Sequence, residues 1–255
     1  WLALLVFYGP EHVFAGVDAT AIGIFVAGGL AGTALGRLGV FVGIHRVGAS
    51  VNNAVISVRP LFATVIALVW LGEPVGPTVG VGVVILVVGL VLLTISKGGD
   101  LGGWRPRDLL APLGAALAFA FGNVIRRFGL TTTDLTVLQA VTINETTAVC
   151  VLGGYVLVRN RDALTEPPLR TYRYFVVSGT ITAVALFSMF AAFDRGRVAV
   201  VDPITSLAPL FTTVFAYFLL RDVERITRGI VAGVVLVVVG VVLIVGGEQL
   251  LLALP

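Results

Sequence analysis

The chain has 255 residues, of which 58% are hydrophobic and only 12% charged, with a formal net charge of +3 and a mean hydropathy of +1.05. A soluble domain carries about 25% charged residues, so this supply cannot build a water-facing surface, and an ordinary soluble protein is excluded. The positive balance comes from arginines near the ends of apolar runs, which suits anchoring at lipid headgroups and not nucleic acid. A single cysteine, Cys150, rules out a disulfide framework within the chain.

A helix needs about 20 mostly apolar residues to cross a bilayer core of about 30 Å. Taken in chain order, residues 1–8 read as the tail of an apolar helix, and we expect the complete protein to begin upstream of them. Full apolar helices are expected near 19–44, 49–71 and 77–96, followed by a Gly-rich, charged linker. Further helices are expected near 108–129, 134–158, 173–194, 198–220 and 227–247. The expectation is an all-α multi-pass protein of the cell membrane with about nine transmembrane helices present.

The chain resembles itself. At an offset of 149 residues, Ser57 falls on Ser206, Pro60-Leu61-Phe62 on Pro209-Leu210-Phe211, and Glu73 on Asp222. Upstream, Thr33-Ala34, Phe41 and Arg46 fall on Thr182-Ala183, Phe190 and Arg195. After a two-residue shift, Gly82 and Gly89 meet Gly233 and Gly240. We read this as a duplication with boundaries at 1–97, a linker at 98–107, a second copy at 108–247 and a short tail at 248–255. The second copy holds five helices. An odd number per copy puts the two copies in opposite orientations, a pattern of secondary transporters. Lysine and arginine are heavier in the connections on the side of the 97–108 linker, which by the positive-inside rule places the C-terminus outside.

The run from Arg59-Pro60-Leu61-Phe62 to Leu71-Gly72-Glu73-Pro74 resembles the end of an EamA repeat, as does Ser206-Leu207-Ala208-Pro209-Leu210-Phe211. Gly32-Thr33-Ala34-Leu35-Gly36 resembles the same family's third helix. The chain is thus similar to the drug/metabolite transporter superfamily over nearly its whole length. That resemblance implies a ten-helix fold of two inverted five-helix repeats around a central cavity, of which this chain lacks the first helix. It implies alternating access and the export of small metabolites such as amino-acid-like compounds, and a cytoplasmic C-terminus, against the charge count. Arg221-Asp222 departs from the family's frequent Gly-Glu.

Charges at bilayer depth cost about 2.5–3.5 kcal/mol or more on insertion scales, so each one in an apolar run asks for a reason. Arg59, just before Pro60, has Ala208 as its counterpart; it is expected to bind substrate, or else to pair with an acid. Pro60 and Pro209 are expected to kink their helices. Arg37 either snorkels to the interface or faces the cavity. With Arg59 it would favour an anionic group. Glu145 reads as the one acid deep in the apolar runs, suited to proton coupling or to an ion pair with an arginine such as Arg59. Asn123, Asn53, Ser206 and Tyr217 are further substrate-binding candidates, and one of Asn52 and Asn53 should bond a neighbouring helix. Asp202, before Pro203, reads as a helix N-terminal acid.

No metal or cofactor motif appears, and no nucleophile–base constellation, so an enzyme is not expected. The expected partners are the bilayer, a small-molecule substrate and protons, with close glycine faces that allow a homodimer and no nucleic acid. The rival functions are a lipid-linked flippase on the same fold and a non-transporting membrane scaffold.

Overall fold

A computed structural model of the chain describes residues 6, 9, 16–96, 105–159, 169–219 and 227–253, with the side chains at 169–171, 212–213, 216–219 and 250–253 outside the description. Most of the expected stub at 1–8 and of the linker at 98–107 lies outside the described residues, and the tail at 248–255 lies partly outside them.

Among the described residues all regular structure is helical. Helix α1 (Ala19–Gly28) starts after Asp18, whose carboxylate accepts the Ala21 amide at 2.7 Å, satisfying one of the orphan donors of a helix start. It continues through a π-helical stretch, Gly29–Leu35, into α2 (Gly36–Ile56). The apolar stretch Ala19–Ile56 is 38 residues long, about twice what one crossing needs. Gly48 breaks it with φ 76° and ψ 162°, a conformation that a Cβ would oppose. That break falls in the connection expected from the sequence at 44–49.

Helix α3 (Arg59–Ile66) runs into a second π-helical stretch, Ala67–Leu71. Then come α4 (Pro77–Ser96), α5 (Leu110–Thr132), α6 (Val137–Arg159), α7 (Leu169–Arg195), α8 (Val198–Thr205), α9 (Ala208–Leu219) and α10 (Arg228–Ala253). Six described helices are long and apolar enough to cross a membrane, and two shorter apolar ones span Arg59–Leu71 and Val198–Phe211. The chain is a multi-pass integral membrane protein.

Two expected helices, 49–71 and 198–220, are each broken in two. The breaks fall at Ser57-Val58 and at Ser206-Leu207, positions that match at the 149-residue offset of the sequence. Their geometry matches. The Ser57 amide bonds the Asn53 carbonyl at 3.0 Å, and the Ser206 amide bonds the Asp202 carbonyl at 3.1 Å. Each serine hydroxyl donates to that same carbonyl at 2.8 Å. A proline follows each break, at 60 and 209; it supplies no amide and restricts the residue before it. Arg59 therefore opens a helix and does not sit in the middle of one.

The residues cluster into two compact units, Trp1–Ala34 with Ile125–Gly196, and Leu35–Val124 with Arg197–Pro255. Each draws on both halves of the sequence. In the second unit α4 and α10 are antiparallel: Thr78 lies by Gly247, and Ser96 by Gly229. Glycines bring their backbones together, since a Cβ on Gly82 would stand 2.9 Å from the Gly240 carbonyl oxygen, and one on Gly89 2.9 Å from that of Gly233. Between them Val83, Leu86, Leu90, Val237 and Ile244 are buried. In a lipid solvent such close packing supplies what the hydrophobic effect cannot.

In the first unit, Phe25 of α1 and Phe190 of α7 meet with ring centroids 6.5 Å apart. The α1 end of the first π-helical stretch lies against α6, where a Cβ on Gly29 would collide with the Asn144 carbonyl. Arg127 donates to the carbonyls of Phe193 at 2.7 Å and Asp194 at 2.9 Å, placing a cation at the C-terminal end of α7 where the helix dipole favours it. Helix α5 runs on to Thr132, a little past the expected end at 129, and carries Arg126 and Arg127.

Candidate functional site

Among the described residues, buried polar and charged side chains gather in two places, one in each unit. In the second unit the centre is Asp202, which is fully buried on α8. The Arg59 Nε donates to its carboxylate at 3.2 Å. The Asn123 amide, from α5, donates to the other carboxylate oxygen. The Arg59 Nη2 reaches the hydroxyls of Thr205, at 3.2 Å, and Ser206, and lies 3.5 Å from the Asp202 carbonyl. Both hydroxyls donate onward to that carbonyl, at 2.9 and 2.8 Å. The Asp202 carbonyl also keeps the Ser206 amide, so the guanidinium and the two hydroxyls converge on an acceptor at the helix break. Asp202 is buried and paired; Arg59 keeps 19% of its side chain exposed. Among the described residues its Nη1 has no hydrogen-bond partner, which leaves two donors for something else.

In the first unit the centre is Thr33, in the π-helical stretch. Its hydroxyl accepts from Arg126 Nη2 at 2.7 Å and from the Asn144 amide at 3.1 Å, and lies 3.4 Å from the Glu145 carboxylate. Arg126 Nε donates to Asn144 Oδ1 at 3.0 Å, and Asn144 Nδ2 donates to Glu145 at 2.8 Å. Arg126 is 3% exposed and stacks over the Phe190 ring at 5.3 Å. A carboxylate and a guanidinium are thus connected through a threonine and an asparagine, so a change at one end is felt at the other.

Of the expected site residues, Arg59, Asn123 and Ser206 come together around Asp202. Glu145 lies in the other cluster, so the acid on Arg59 is Asp202 and not Glu145. Arg37 is half-buried on α2 and makes no hydrogen bond or ion pair among the described residues. Asn53 is exposed, with its side chain 3.4 Å from that of Asn52. Asn52 is fully buried and, among the described residues, its Oδ1 bonds nothing on a neighbouring helix; it packs against Gly43 of its own helix instead. The side chain of Tyr217 lies outside the described residues. Pro60 and Pro209 each stand second in the helix after a break.

Two residues were missed. Asp202 is not a first-turn acid: it sits in the fifth position of α8. Its register was the available signal, since Asn53 occupies the matching place in the other copy. Arg126 lies inside the helix expected at 108–129 but is not among the expected site residues. Glu145 is not the only buried acid either, because Glu73 and Asp202 are more deeply enclosed.

The model of the EamA-like transporter family matches residues 2–95 and again 107–246. The chain belongs to this family. Among curated proteins, this EamA-family chain is 26% identical over 243 residues to a WAT1-related protein of Arabidopsis thaliana described as chloroplastic. The match covers 89% of the chain and 52% of that protein, so the chain spans about half the length of the relative. A solved crystal structure superposes with a TM-score of 0.77 at 16% identity, covering 98% of this chain and 83% of the other. That likeness shows a shared fold and carries nothing about substrate.

Proposed function

We propose that the protein carries small, net-neutral polar metabolites, amino-acid-like in size and chemistry, across the membrane by alternating access, as an exporter. The observation that carries this is the Arg59 cluster. It stands at one of two corresponding helix breaks, the arrangement a midplane site calls for, and it offers guanidinium donors that have no partner among the described residues. Asp202 changes the substrate expected. Its charge compensates that of Arg59, so the field no longer favours an anion; it suits a solute whose own charges cancel while presenting a carbonyl or carboxylate oxygen to Nη1.

Two inverted repeats are part of the proposal. Gly82 and Gly89 correspond in sequence to Gly233 and Gly240, yet Gly82 packs on Gly240 and Gly89 on Gly233. An interface in which each element meets its partner's counterpart is isologous and implies a local twofold axis. Between antiparallel membrane-crossing helices, that axis lies in the membrane plane. Glu145 is the proposed proton-coupling residue, since its half-buried carboxylate ends the network that runs through Thr33 and Asn144 to Arg126.

The test is uptake into proteoliposomes of the full-length protein, over a panel of amino acids, organic acids and sugar phosphates, with and without a pH gradient. Arg59→Lys keeps a charge for Asp202 but loses the planar fork, and should raise KM about tenfold for the transported solute. Glu145→Gln should abolish the effect of the pH gradient. Preference for organic anions over zwitterions would overturn the substrate assignment, and an unchanged KM in Arg59→Lys would remove Arg59 from the site.

A further inference from the structure

Helix α8, which carries Asp202, is held at both ends by one other segment. At its N-terminus the carboxylate of Glu73 accepts the amides of Val198 at 3.1 Å and Ala199 at 3.4 Å. Glu73 is buried, with 8% exposure, and the residues it holds are more so. At the other end Arg59 binds Asp202, Thr205 and Ser206. The segment from Arg59 to Glu73 therefore runs antiparallel to α8. It sets a negative charge at the positive end of the helix dipole and a positive charge at the negative end. Arg197, which precedes α8, fixes the Glu73 end further: it donates to the Pro74 carbonyl at 3.4 Å and to Glu248 of α10 at 3.1 Å.

An eight-residue helix bounded by a break does not hold its place by its own hydrogen bonds. The N-terminal amides of α8 are buried, so without an acceptor they would each carry the cost of an unsatisfied donor. The sequence assigned the acid of this helix start to Asp202, but Asp202 is turned to Arg59 and the role falls to an acid more than a hundred residues earlier in the chain.

We infer that Glu73 is a positioning residue for the Arg59–Asp202 cluster: it seats the start of α8 so that Asp202 meets Arg59 and Asn123, and α8 moves with the Arg59–Glu73 segment as one body. This rests on the transporter reading above. Glu73 touches no solute in this arrangement; it acts through α8.

Hydrogen–deuterium exchange and transport test it together, on the full-length protein in nanodiscs and proteoliposomes. Glu73→Ala should speed exchange of the amides at 198–202 about tenfold, and Glu73→Gln, which keeps one acceptor oxygen, by less. In uptake, both variants should raise KM, by about tenfold in Glu73→Ala, with Vmax per folded protein changed less than about twofold. A merely structural role would lower the folded fraction and leave KM alone. Should Glu73→Ala fail to fold, Glu73→Gln carries the same comparison. Unchanged exchange at α8 overturns the inference, and so does faster exchange with a wild-type KM. If the wild type moves no solute, the transporter reading falls, and the exchange at α8 still decides whether Glu73 seats the helix.

Discussion

Arg59 and Asp202 are best understood together with the residues that replace them in the other copy. There, the matching positions hold Ala208 and Asn53, so both charges are absent at once. Removing one partner of a buried pair leaves the other uncompensated, at a cost of about 3–5 kcal/mol, whereas removing both can be nearly neutral. Asp202 is wholly buried and Arg59 is not, so the two single variants should differ. Arg59→Ala, which strands the buried carboxylate, should lower the thermal midpoint in detergent more than Asp202→Asn. The double variant Arg59→Ala with Asp202→Asn should recover much of the loss. Equal midpoints for Arg59→Ala and the double variant would mean that the pair is not coupled. Asparagine and alanine at 53 and 208 were visible in the sequence. Their meaning was not, because a residue's partner across 143 positions of chain is fixed only by folding.

At the scale of elements, the long apolar runs were legible because a bilayer demands them: a span of about 20 apolar residues has few other uses. The breaks inside them were less so. Proline marked both positions, but whether a proline bends a helix or splits it depends on the contacts around it. Here Arg59 and the two hydroxyls converge on the Asp202 carbonyl at the end of α8. The pairing of α4 with α10 rests on backbone contact at glycine, which makes a sharp prediction. Gly89→Leu would place a side chain where the Gly233 carbonyl and the Val237 amide already stand, at 2.9 and 2.7 Å from the first added carbon. It should cost well over about 1–3 kcal/mol, the usual range for overpacking, and reduce folded yield sharply. Gly80→Leu, on the same helix with open space around it, should leave the yield close to wild type. Size-exclusion chromatography of the two variants side by side checks this.

For the whole molecule, the proposed inverted repeats can be tested through α4 and α10, which are antiparallel. Their first residues, Pro77 and Arg228, are near-counterparts in the duplication. Helices that cross a membrane in opposite senses begin on opposite faces. In a background with Cys150→Ala, Gly76→Cys and Thr227→Cys should therefore label from opposite sides with an impermeant maleimide. Labelling of both from one side would refute the inverted arrangement.

The sequence by itself determined the membrane environment, the approximate spans and the likeness between the two halves, because composition and spacing answer directly to the thickness and dielectric of a bilayer. It also marked Arg59, Asn123 and Ser206 as residues needing an explanation, since polar groups in apolar runs are costly wherever they end up. Only the tertiary structure decided which of them meet. Asp202, and not Glu145, neutralises Arg59; Glu73, and not Asp202, caps α8; Arg126 meets Thr33 and Asn144. Each of these depends on packing between segments far apart in the chain, where a shift of one helical turn exchanges one partner for another, and no local pattern of residues encodes that choice.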